Sequence, residues 1–154
     1  MVNLSVLLGV FGGLGTSEIL LISLLVLFPL SIIPMIFYLL TIQKALQRCS
    51  PPNRSMDPGQ VWLLLIPVFN LVYQFIVVSN VATSLGNEFR SRNLQKEPEP
   101  GKSIGLAYCI LSVCTIIPFL GFLTGIACLI CWIIYWSKIS NFSSELFYAQ
   151  VKGS

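Results

Sequence analysis

The stretch that decides the fold is WLLLIPVFNLVYQFIVV, residues 62–78. Its flanks would fill a bilayer, yet Pro67, Asn70 and Gln74 lie near its centre. Two arrangements satisfy the pattern. In one, residues 59–78 form a single span, whose proline kink is tolerated when neighbouring groups re-satisfy the freed backbone. In the other, residues 59–66 dip into the membrane, Pro67-Val68-Phe69-Asn70 turns, and the chain from Leu71 climbs out on the side it entered. A turn at membrane depth leaves backbone groups unpaired unless protein or water covers them. The amides of Asn70 and Gln74 would supply hydrogen bonds there.

The positions of the charges separate the two. The basic residues are Lys44, Arg48, Arg54, Arg90, Arg92, Lys96, Lys102, Lys138 and Lys152. If 59–78 spans, residues 44–54 and 90–102 face opposite compartments. If it re-enters, all the basic residues share the cytoplasmic face, as the positive-inside rule favours. Trp62, Tyr108, Tyr135 and Trp136 then fall near that same interface, where aromatic anchors concentrate. The re-entrant hairpin is the expectation; four spans with a proline-kinked second helix is the alternative.

Composition puts the chain in a bilayer. Of 154 residues, 55% are hydrophobic and 10% charged, against about 25% charged in soluble domains. The mean hydropathy is +0.84. The net charge of +3 is scattered along the chain, so a dense basic face for nucleic acid is not expected. There is no histidine, which removes the commonest zinc ligand and the commonest general base. The carboxylates Glu18, Asp57, Glu88, Glu97, Glu99 and Glu145 show no paired spacing and none falls mid-membrane. The reading is therefore a protein without enzymatic activity, cofactor or metal.

Working outward, residues 1–15 are too short to span and read as an interfacial or re-entrant helix, folded back at Gly12, Gly13 and Gly15. They lack the basic n-region of a signal peptide. Residues 18–48 form the first span and its extension, started by Thr16 or Ser17 as a cap with Glu18 in the first turn. Kinks are expected at Pro29 and Pro34, and Lys44 and Arg48 mark the exit into water. Asp57-Pro58 reads as an N-cap followed by a first-turn proline. Residues 59–92 combine the hairpin with an amphipathic helix: Val78, Val81, Ala82, Leu85 and Phe89 recur at helical spacing, with Asn80, Thr83, Ser84, Asn87 and Arg90 on the other side. A polar linker covers 93–103. Residues 104–137 form a helical hairpin with arms 104–117 and 121–136, turned at Ile117-Pro118-Phe119-Leu120-Gly121. The tail 138–154 is interfacial through Ile139, Phe142 and Leu146. The fold class is an all-α integral membrane protein with three spans (about 18–43, 104–117 and 121–137) plus the re-entrant hairpin.

Three sets of residues are candidate sites. Pro67, Asn70, Gln74 and Asn80 either line a mid-membrane solute path or satisfy the helix break. Gly121 and Gly125, a G-x-x-x-G pair, bring helices into contact within or between chains, unless Gly121 serves the turn. Cys128 and Cys131, with Cys109 at a depth similar to Cys131, form a C-x-x-C whose metal reading needs further ligands. Small residues packing helices together is the simpler account of the cysteines.

The stretch PGQVWLLLIPVFNLVYQFIVVSNVATSL, residues 58–85, carries Trp62, then Pro67, Asn70-Leu71 and Gln74 ahead of the amphipathic helix. It resembles a domain-of-unknown-function family of small bacterial multi-pass membrane proteins that shares this W-x4-P-x2-N-L core. The segment IPFLGFLTGIACLICWIIYWSKI fits more loosely. The resemblance implies a bacterial origin and supplies no activity; with the charge argument above, the expected place is the bacterial inner membrane with the basic loops cytoplasmic. The function expected is an accessory or scaffold subunit packed against partner membrane proteins or further copies of itself. A small oligomeric channel or transporter is the alternative, and a lipid-modifying enzyme the least favoured.

Overall fold

Residues 15–94, 97–117 and 121–152 are described by a computed structural model. Among them the regular elements are all helical: α1 (Thr16–Arg48), a 3-10 turn (Pro51–Asn53), a 3-10 helix (Pro58–Leu65), α2 (Pro67–Ser91), α3 (Lys102–Cys114) and α4 (Gly121–Lys152). The N-terminal helix expected before residue 15 and the turn residues Pro118, Phe119 and Leu120 lie outside the described residues. The chain divides into two units, Met1–Phe37 and Tyr38–Ser154.

In the first unit, the start of α1 is set by Gly15 and Glu18. Glu18 N–H donates to Gly15 O at 3.0 Å. Gly15 N–H donates back to Glu18 Oε2 at 3.1 Å, the reach-back half of a capping box. Thr16 and Ser17 therefore lie inside the first turn instead of capping it.

In the second unit, the deciding stretch is an elbow one residue earlier than the sequence predicts. Asp57 caps the 3-10 helix through Gly59 N–H at 3.2 Å. Pro58, Val61 and Leu64 are its buried residues, the every-third spacing of a 3-10 helix, whose side chains eclipse at i and i+3. Ile66 is extended, with φ −82° and ψ 109°, because a following proline disfavours the α region. Pro67 is then the first residue of α2. The tetrapeptide Pro67-Val68-Phe69-Asn70 is thus a helix start and not a turn. The physical reason is that proline fixes φ near the helical value and has no N–H to strand at a helix N-terminus.

The ends of this elbow come back together. Ser55 N–H donates to Ser84 Oγ at 2.8 Å, and Ser50 N–H donates to Glu88 Oε2 at 2.8 Å. The 3-10 helix and α2 pack side by side and run in opposite directions from their junction at Ile66. Three helical stretches run toward this same end. Thr41 meets Trp136 and Arg48 meets Ser143, so the part of α1 from Tyr38 on runs parallel to α4. Phe89 stacks edge-on against Phe142, and Arg92 reaches Leu146 O, so α2 keeps their direction. α3 returns against α2: Gln74 bonds Ser112, and a side chain at Gly105 would meet Val78 and Tyr135. The described basic residues all lie toward this shared end.

Four further expectations are corrected. The tail after 137 is no separate element, because α4 runs unbroken to Lys152 with Ile139 and Leu146 fully buried. α3 is 13 residues, which reaches about 20 Å at ~1.5 Å per residue, short of a ~30 Å hydrocarbon core. The linker is not simply solvated: Pro100 and Gly101 are buried, and a side chain at Gly86 would strike Pro98 O. Tyr135 is no surface anchor. It is completely buried, it packs against Tyr38, and its hydroxyl has no partner among the described residues.

Candidate functional site

Val78, Val81, Ala82, Leu85 and Phe89 are all buried, as their spacing predicts. Ser84 and Glu88, however, border this stripe and are buried with it. Ser84 Oγ donates to Asn80 O at 2.7 Å while it accepts from Ser55 N–H. Glu88 is the centre of a polar knot that ties four elements.

Its Oε2 accepts from Ser50 N–H at 2.8 Å and Asn53 Nδ2 at 2.7 Å. Its Oε1 accepts from Ser50 Oγ at 3.0 Å and from Arg92 Nε at 2.7 Å, with a second bond from Arg92 Nη2. Arg92 extends the knot to Leu146 O at 3.3 Å and Arg48 O at 3.5 Å. Gln150 Nε2 also donates to Arg48 O, at 3.1 Å. Arg48 itself donates to Ser143 Oγ at 2.7 Å and lies 5.0 Å from the Phe147 ring centroid. The end of α1, the 3-10 turn, α2 and α4 are therefore joined through one carboxylate. Burial pushes the Glu88 carboxyl upward, but the bonds from Asn53, Ser50 and Arg92 outweigh it and hold the group below its ordinary range. With five donors on it, this carboxylate has no free lone pair for proton transfer or a metal. Nearby Cys49, fully buried and donating to Ala45 O at 3.4 Å, is pushed up to about 12 by burial and then by the Glu88 charge. The sequence signal for the knot was Glu88 four residues before Arg92, the favourable order for a helical ion pair.

The residues singled out from the sequence are dispersed. Pro67 is exposed at the elbow and Asn70 is half-buried one turn on. Gln74 is buried and donates to Ser112 Oγ at 2.6 Å and Leu71 O at 3.3 Å. Ser112 in turn donates to Cys109 O at 2.7 Å. Asn80 is half-buried and its carbonyl is taken by Ser84. Gly121 serves the turn: its N–H donates to Ile117 O at 2.8 Å, and a side chain there would meet Thr115 O at 2.9 Å. Gly125 has nothing within 4 Å of where a side chain would begin, so it marks no close contact among the described residues. The five cysteines are free. Cys128 Sγ lies 3.9 Å from Tyr108 O across the α3–α4 hairpin, so it is Cys128 that stands level with the 108–109 segment. Among the described residues, no three His, Cys, Asp or Glu side chains gather to hold a metal.

Large apolar side chains are left uncovered away from the polar end. Val68 is 81% exposed, Leu123 74% and Val72 69%. Two helices, Pro67–Ser91 and Leu123–Lys152, are long and apolar enough to cross a membrane. Comparison of the chain with known protein families, with curated proteins and with solved structures finds no match.

Proposed function

We propose that the protein is a non-enzymatic membrane subunit that packs against partner membrane proteins, held from one face by its polar end. The observation that carries this reading is the segregation of surfaces. Exposed Val68, Val72, Leu123, Ile126, Leu129 and Ile133 lie away from the polar end, and the basic residues cluster at it. An apolar surface of this kind is stable only against lipid or protein. In this reading the basic end is cytoplasmic, at the inner membrane of a bacterium. The elbow at Ile66-Pro67 is the floor of a re-entrant hairpin, and α1 and the α3–α4 pair supply the remaining membrane segments.

The elbow's geometry supports re-entry over a kinked span. The 3-10 helix has eight residues, or about 16 Å at ~2.0 Å per residue, half a ~30 Å core. Ser55, three residues before its start, is hydrogen-bonded to Ser84 in the far part of α2. The buried amide of Gln74 is spent on Ser112 between two helices, which favours a packing role over a solute path. The W-x4-P-x2-N-L resemblance agrees with an elbow at this place, since Trp62 is tied to Gln43 at 3.1 Å and Pro67 starts the returning helix.

The test is topological and then biochemical. In a background without the native cysteines, Pro52→Cys and Glu97→Cys are labelled by an impermeant maleimide from the same side, and Phe69→Cys from neither. Labelling of 52 and 97 from opposite sides would refute the hairpin. Gentle detergent extraction after in-membrane crosslinking is expected to yield a defined complex. A lone monomer under those conditions removes the accessory-subunit reading.

A further inference from the structure

The parallel helices α1 and α4 leave a groove at the level where both change from apolar to polar. It is a concavity of about 390 Å³ lined by Thr41, Trp136, Ser137, Ser140 and Asn141, within the size range of small-ligand sites. Its floor is the bond from Trp136 Nε1 to Thr41 Oγ1 at 2.9 Å. The Trp136 ring is wedged against Trp132 and Tyr38, with centroids 5.3 and 6.4 Å away. On α4, Ile133 and Ile134 are exposed just before the groove, and Ser137, Ser140 and Asn141 are exposed within it.

A lysine lies one turn further along α1 from the groove's Thr41 edge. The pairs Thr41–Trp136 and Arg48–Ser143 fix the register of the two helices, the second pair lying seven residues beyond the first on both. Lys44, three residues past Thr41, therefore stands level with Ile139, one residue before Ser140, on the helix edge that also carries Thr41 and Arg48. Arg48 is held by Ser143 and Phe147, whereas Lys44 is exposed and makes no ion pair among the described residues. Hydroxyls and an amide line the groove beside a tryptophan, and an exposed lysine lies one turn along α1 from its Thr41 edge. That set matches a phosphodiester carrying a hydroxylated headgroup, placed where a phospholipid headgroup lies when the flanking isoleucines sit among acyl chains.

We propose that this groove seats the headgroup of one anionic phospholipid, with Lys44 facing the phosphate and the hydroxyls of Thr41, Ser137 and Ser140 and the amide of Asn141 facing the glycerol. The inference rests on the membrane reading above and names the lipid which that reading leaves open. Two steps test it with the full chain. The first is flotation with vesicles of phosphatidylcholine alone or mixed with phosphatidylglycerol. The second is native mass spectrometry of delipidated protein titrated with either lipid. The expected result is flotation with both vesicles and preferential retention of one phosphatidylglycerol. Lys44→Gln should weaken retention about fivefold, from ~1 kcal/mol per basic residue at a membrane surface. Ser140→Leu with Asn141→Leu should abolish the preference. Lys152→Gln, an equal loss of charge at the far end of α4, should leave it unchanged. All these positions are exposed, so folding is not at stake. Equal retention of the two lipids, a preference for phosphatidylcholine, or equal effects of Lys44→Gln and Lys152→Gln would overturn the site while leaving the membrane reading intact. Displacement of the lipid by soluble glycerol phosphate would overturn the lipid assignment. Failure to float with either vesicle would overturn the membrane reading and the headgroup site with it.

Discussion

Replacing Glu88 is the sharpest perturbation the structure offers. Its carboxylate is fully buried and takes five hydrogen bonds, three of them from groups outside its own helix. Glu88→Ala leaves the Arg92 guanidinium, whose side chain is 21% exposed, without its counter-charge, and strands the Ser50 N–H. Breaking one side of such a pair costs about 3–5 kcal/mol. Glu88→Gln keeps the shape and one carbonyl oxygen but turns an N–H2 toward donors, so two or three bonds are lost, at about 2–4 kcal/mol. Unfolding in mixed micelles, followed by circular dichroism, measures the loss. Cys49, 1% exposed beside the knot, gives a local readout: 2 kcal/mol of local destabilisation raises its alkylation rate about 30-fold. Glu88→Met with Arg92→Met should be less damaging than Glu88→Met alone, since no buried charge is left unpaired. Acid adds a sign. A carboxyl held below 4.5 in the folded chain contributes stability above pH 4.5, and that stability is lost as the pH falls through the lowered value. Wild type should weaken on acidification below that point, and Glu88→Gln should lack this limb. If Glu88→Gln unfolds and labels at Cys49 within about 0.5 kcal/mol of wild type, the size of a neutral surface change, the knot does not hold these elements together.

Other outcomes follow from single contacts. Gly86→Ala places a methyl against Pro98 O; the linker must lift, at about 1–3 kcal/mol, and limited proteolysis should cut residues 93–101 faster than in wild type. Gln74→Leu loses the bond to Ser112 for about 1 kcal/mol and should leave solute flux through proteoliposomes unaltered; a change in flux would return the channel reading to first place. Cys49, pushed up to about 12, should resist maleimide at neutral pH in the folded protein and react on unfolding, because the thiolate is the nucleophile.

The apolar composition, the all-helical character and the buried stripe from Val78 to Phe89 were legible in the sequence, because they follow from local rules. A period of 3.6 residues marks a buried face, an Asp-Pro pair starts a helix, and a proline ends the one before it. The place of Gln74 was also readable, since it lies one turn before Val78 on the same face. Tertiary structure alone decided what these residues do. Pro67-Val68-Phe69-Asn70 has the composition of a turn and of a helix start alike, and only the return of Ser55 to Ser84 shows where the elbow lies. Glu88 carries the charge of a solvated residue, and its burial depends on Ser50 and Asn53, more than thirty positions away. The groove at Trp136 requires the register of two helices far apart in the chain. Local propensity acts over a few residues, whereas the burial of a charge is decided by partners that only the folded chain brings within hydrogen-bond range.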